Sequence, residues 1–136
     1  MDTMRAAYDE VYVYTMSRPG FILQHVVDAF AVQTANGDSK PIGLVFGLVG
    51  LYLHVEKQFS GRQVQKVHME LGHRKREWPR IDLPADRGSL TVADVLAAPG
   101  GPERDTAIHD WCRSLWTAFR GNRQTIILLL REYQIT

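Results

Sequence analysis

The chain has 136 residues, 45% hydrophobic and 23% charged, which suits a single globular domain with its own core. Its 16 basic and 15 acidic residues leave a net charge of +1, which argues against a basic surface built for nucleic acid or anionic lipid. A single cysteine, Cys112, excludes an internal disulfide framework and multi-thiolate zinc sites, and it fits a reducing cytoplasm.

The opening residues have acids near the start and no continuous apolar stretch, so no secretory signal is expected. Met4, Tyr8, Val11, Tyr12 and Thr15 recur at helical spacing and predict a first helix over 3–16. Pro19 then ends that helix and suits the first turn of the next. The second helix is predicted from about Pro19 to Gln33. It carries Phe21, Ile22, His25, Ala29 and Val32 on one side, and Leu23, Val26 and Phe30 on another.

After a turn at Asn36–Ser39, a third helix is predicted from about Lys40 to Phe59. It is apolar on every side, as a central helix is. Its apolar run, Ile42 to Val55, falls short of the roughly 20 residues a membrane span needs, so no membrane is expected as a partner. Gly43, Gly47 and Gly50 form a stripe that His54 continues. Each interior glycine costs about 1 kcal/mol against alanine. The stripe therefore predicts either a very close helix contact or a cavity filled by something else.

A fourth helix is predicted from Gly61 to Leu71, with Val64, Val67, His68 and Leu71 facing inward. The segment 77–89 has no helical period and reads as an ordered loop pinned by Trp78, Ile81 and Leu83. Thr91 and Asp94 suit a capping box for a short helix ending before Pro99. The last helix begins near Glu103 and follows Ile108, Trp111, Cys112, Leu115, Trp116 and Phe119. It runs on through Ile126, Leu130 and Tyr133, either unbroken or bent at Gly121. The expected fold is all-α: one domain, 1–136, an irregular bundle of four to five main helices with an ordered Trp/Pro loop.

His25, Asp28, Ala29, Phe30 and Gln33, with the later segment from Leu48 to Gly61, carry a resemblance. The chain resembles a family of small bacterial proteins known as domain of unknown function 5946. His25, Asp28, Ala29, Phe30 and Gln33 match its His, Asp, Ala, aromatic and Gln positions, and the resemblance covers roughly residues 8 to 120. Thr34 and Ala35 depart from the family's His and Pro, and the family's cysteine-bearing opening segment is missing. The resemblance implies a helical fold and assigns no activity.

Two readings of function follow. In the first, the chain is a cytoplasmic binding or interaction module, expected as a homodimer because its aromatic and apolar helices exceed what one small core hides. The first and last helices would supply that face. A small-molecule pocket would lie between the second and third helices, with Gln33, Gly47, Gly50 and His68 as lining candidates. In the second, His25, Asp28 and His54 hold a divalent metal, zinc or nickel, in a metal-dependent enzyme. The competing structural reading makes these histidines buried groups satisfied by hydrogen bonds. Cys112 is expected to be an inert core thiol. His73 and His109 are expected to be exposed and without a role. The HRKREW cluster reads as a solvated helix end.

Overall fold

The computed structural model describes residues 3–74 and 77–135. Lys75 and Arg76, in the middle of the HRKREW cluster, lie outside them. The described residues form seven α-helices and no strand, so the all-α expectation holds and the count of four to five does not. The helices are α1 (Thr3–Thr15), α2 (Leu23–Gln33), α3 (Pro41–Lys57), α4 (Gly61–Gly72), α5 (Val92–Ala97), α6 (Pro102–Ala118) and α7 (Arg123–Glu132). The excess comes from the short α5 standing as a helix and from a break that splits the last helix.

The second helix starts later than its sequence pattern suggests. Pro19–Phe21 form a separate 3-10 turn in which Gly20 has φ 77° and Phe21 φ 53°. These left-handed residues reverse the chain before α2 can begin. The first residue of α4, Gly61, packs against this turn so closely that any Cβ would collide with the Phe21 carbonyl oxygen. Ser60 and Gln63 close α4 with a reciprocal capping box at 2.8 and 3.2 Å. The last helix breaks at Arg120–Asn122, a 3-10 turn, where Asn122 turns inward. Its amide donates to the Asp82 carbonyl at 2.9 Å and accepts from the Asp82 N–H at 2.8 Å. Asn122 thus pins the Trp/Pro loop alongside Trp78, whose ring meets Phe46 edge-on at 5.3 Å.

Helix α3 is the axis of the fold and packs against α2, α4, α6 and α7. Leu44, Val45 and every residue from Gly47 to Leu53 are buried, which is why its sequence shows no polar face. None of the described helices is long and apolar enough to cross a membrane. Helix α1 lies on α2 and α5, held by the stacked rings of Tyr8 and Phe30 at 4.1 Å. Glu56, near the end of α3, accepts from Trp116 at 2.7 Å and from both sides of the Arg123 guanidinium at 2.7 and 2.8 Å. That guanidinium holds the Glu56 carboxyl below its ordinary range.

Candidate functional site

Two clusters of buried polar side chains lie where α2 meets α3, one shared with α4 and the other with α6. At Gly47, a Cβ would stand 2.9 Å from Val32 Cγ2 and 3.1 Å from the Asp28 carbonyl. At Gly50, a Cβ would overlap the Asp28 carboxylate. The glycine stripe is therefore a close helix contact at these two positions, and the α2 side chains fill it. Gly43 is different. It is exposed, and nothing stands within 4 Å of where its Cβ would be.

Asp28 is 3% exposed and belongs to one of two polar networks. Gln24 Nε2 donates to Asp28 Oδ1 at 3.1 Å and reaches His68 Nδ1 at 3.3 Å. His68 Nε2 lies 2.9 Å from the Phe46 carbonyl oxygen. A carbonyl can only accept, so His68 carries its proton on Nε2 and accepts from Gln24 through Nδ1. The Gln24 amide thus spends one N–H on each neighbour. The other carboxylate oxygen, Asp28 Oδ2, has no hydrogen-bond partner. Burial pushes the Asp28 carboxyl well above the carboxylate range, and Gln24 alone opposes that shift. The site favours a protonated Asp28.

The second network is built from histidines on three helices. The rings of His25 (α2) and His54 (α3) stack at 3.7 Å between centroids with planes 21° apart. His54 Nε2 lies 3.1 Å from His109 Nδ1 on α6. His109 Nε2 lies 2.7 Å from Arg113 Nη2. Guanidinium only donates, so His109 Nε2 accepts and its Nδ1 carries the proton that is given to His54. His25 is 4% exposed, and its Nδ1 has no partner. Burial, then the neighbouring His54 and His109, push His25 down to about 3. Burial, then His109, push His54 down to about 4. Both imidazoles are therefore neutral at physiological pH. Beside them the fully buried Cys112 thiol is driven upward by burial, as expected of an inert core thiol.

Of the residues singled out in the sequence, His25 and His54 meet. Asp28 joins His68 in the other network, with its carboxylate turned to Gly50 and Gln24. Among the described residues, no group of three or more His, Cys, Asp or Glu side chains is set to hold a metal ion. The stack explains part of this: imidazole lone pairs lie in the ring plane, so two rings lying face to face do not aim at one point. His109 was expected to be exposed and without a role. It is instead half-buried and bonded to His54. Its position next to Ile108 on the α6 stripe was the available signal.

Gln33 is a structural pin. Its Oε1 accepts from Trp111 Nε1 at 2.8 Å and from the Val92 N–H at 3.2 Å, which ties α2 to α6 and α5. Arg87 caps the same helix end, donating to the Val32 carbonyl at 3.1 Å. Gln33→Leu leaves the buried Trp111 donor unpaired. It is expected to cost about 2 kcal/mol in urea denaturation, from one unsatisfied buried donor and a weakened α5 cap. A cost under about 0.5 kcal/mol would show that the pin contributes little.

Comparison with known proteins adds one match. Neither a curated protein nor a solved structure matches the chain. Residues 5–120 match the model of a family of unknown function (DUF5946), which covers most of the chain and includes both networks. The chain belongs to that family.

Proposed function

We propose that the protein is a helical interaction module that acts as a homodimer in the cytoplasm. The observation that carries this reading is the set of large apolar side chains left in solvent on the first and last helices. Val13 on α1 and Met16 just past its end are each 64% exposed, and Leu128 on α7 is 53% exposed. Leu128 also borders a groove of about 380 Å³ with Leu129, Trp78 and Pro79. Large apolar side chains held in solvent on a helix face are candidates for burial by association. A net charge of +1 puts no long-range repulsion between two copies. Support also comes from the interior: the pocket candidates Gly47 and Gly50 are filled by Val32 and Asp28, and Gln33 and His68 by their own hydrogen bonds. The cytoplasmic part of the reading is supported by the lone, buried Cys112 thiol.

The alternative, a zinc- or nickel-dependent enzyme at His25, Asp28 and His54, has less behind it. Two of those side chains touch, and the third is bound into a separate network.

Size-exclusion chromatography with light scattering tests the dimer. The expected mass at tens of micromolar is twice that of the chain. A double substitution Val13→Glu, Met16→Glu, or Leu128→Glu alone, is expected to return it to monomer, according to which helix forms the face. A monomeric wild-type chain at that concentration would contradict the reading.

A further inference from the structure

The turn at Asn36–Ser39, the start of α3 and the Trp/Pro loop enclose a pocket of about 410 Å³. We propose that this pocket binds a small organic carboxylate with an apolar body, its body against Trp78 and Leu83 and its carboxylate on Arg80. This goes beyond the interaction-module reading and does not depend on it.

Three observations carry it. The first is size and lining. The volume falls within the range of small-molecule sites, roughly 300–1,000 Å³. Leu44, itself buried, lines it from α3, and Trp78, Pro79, Ile81 and Leu83 line it from the loop. Leu83 is 37% exposed and Trp78 half-buried, so an apolar ligand takes both further out of water. The second is that the walls are already fixed. Asn122 holds the loop through both polar groups of the Asp82 backbone, and Trp78 rests edge-on against Phe46. Across the pocket, the Asn36 N–H donates to Ser39 Oγ at 2.9 Å and the Asp38 N–H donates to Asn36 Oδ1 at 2.8 Å. A site ordered beforehand loses little entropy on binding.

The third observation is the sign of the hydrogen-bonding groups left over. Asn36 Oδ1 and Ser39 Oγ, the side-chain acceptors in the lining, already accept from the N–H groups of their own turn. Among the described residues, the Trp78 indole N–H and the Arg80 guanidinium have no acceptor. Both groups can only donate. The pocket therefore offers donors beside an apolar wall, and a ligand must bring the acceptors. The guanidinium fork matches the two oxygens of a carboxylate. A carboxylate's single charge also matches one arginine, where a phosphate ester brings close to two. The carboxylates of Asp38 and Asp82 are not part of the lining. An apolar cation would meet the guanidinium with like charge, and a neutral apolar ligand would leave the fork unmatched.

The test is a proton–nitrogen NMR titration of the full chain with phenylpropanoate, read at the indole N–H signals. The Trp78 signal and the backbone signals of 36–39 are expected to shift saturably, with a Kd of about 1 mM or tighter. Trp111 and Trp116 each donate within the protein, so their indole signals should stay in place. Phenylpropanamide, the same body without the charge, is expected to bind at least about 5-fold more weakly. Arg80→Gln is expected to weaken the carboxylate by about 5- to 10-fold and to leave the amide unchanged, a split that a purely structural effect would not give. Arg80 is exposed and forms no hydrogen bond or ion pair among the described residues, so this variant keeps the fold. Lys66→Gln, exposed on α4, should change neither ligand. No saturable shift at Trp78 up to about 10 mM ligand, or equal affinity for the acid and the amide, would overturn the proposal. Unchanged carboxylate binding in Arg80→Gln would overturn it as well. Each of these failures leaves the dimer measurement unaffected.

Discussion

Gly50→Ala is expected to destabilise the protein by about 3 kcal/mol, against the direction that helix propensity gives. Propensity alone favours alanine by about 1 kcal/mol in a helix interior. The methyl group would overlap the carboxylate of Asp28, whose own Cβ lies 3.2 Å from the same point. Asp28 is short and buried, so it cannot swing into solvent. Overpacking of this kind costs about 1–3 kcal/mol. Displacing the carboxylate from Gln24 adds about 1–3 kcal/mol for a buried polar group that loses its bond. The sum exceeds the propensity gain, and thermal melting should fall by roughly 10 °C for a chain of this size. Gly43→Ala is the control. With open space around it, alanine there is expected to stabilise by up to about 1 kcal/mol. The double variant Gly50→Ala, Asp28→Ala should lose less than the sum of its parts, because removing the carboxylate removes the collision. A stabilising Gly50→Ala would mean that the two helices do not meet at this residue.

Acid should weaken the fold well before the carboxylates of its surface ion pairs are protonated. The folded-state values of His25 and His54 are depressed to about 3 and about 4. Below the ordinary imidazole value near 6.5, the unfolded chain therefore binds protons that the folded chain refuses. Stability is fully present above that value and is lost as pH falls toward the folded values. Each imidazole removes up to about 1.4 kcal/mol per pH unit across the window. His68, also lowered by burial, acts in the same direction. Asp28 acts oppositely. Its folded value is raised, so its protonation favours the fold at low pH, and that advantage is lost as pH rises through the folded value. It returns up to about 1.4 kcal/mol per unit as pH falls from its folded value toward the ordinary carboxylate value. With His54 partly exposed and screened, the net expectation is a loss of about 1 kcal/mol per unit over that range. His25→Phe should bring the slope close to flat. Asp28→Asn should steepen it to about 2 kcal/mol per unit and raise stability at neutral pH. Urea denaturation across this range measures all three. A wild-type stability that is flat or rises toward pH 4 would contradict the assignment.

Much of the fold was legible because it rests on periodicity. Helix α3 shows its central place in having no polar face, and the capping pair at Thr91 and Asp94 marks a helix start correctly. The misreadings occur where tertiary contact overrides a local pattern. Phe21 and Ile22 continue the apolar period of α2, yet Gly61 packs against that turn and the chain takes a left-handed step instead. The last helix keeps its register across Gly121, but Asn122 leaves the helix to bond the Asp82 backbone, a partner forty residues away. The site was half legible. His25 and His54 stand out as polar residues on apolar helices, and the glycine stripe says where α2 and α3 meet. No spacing rule could separate Asp28 from His25, because i and i+3 share a helix face and only the α3 glycines decide which side chain turns where. His109 is one of several polar residues on α6. Its role appears only once α3 brings His54 to it.

The account rests on two polar networks whose buried imidazoles are neutral, and long-range proton–nitrogen NMR of the histidine side chains tests that directly. At about pH 5, below the ordinary imidazole value, His25 and His54 are predicted to remain neutral. In their neutral forms His109 should carry its proton on Nδ1 and His68 on Nε2, as their hydrogen bonds require. An ordinary midpoint near 6.5 for His25, or a neutral His109 protonated on Nε2, would contradict it.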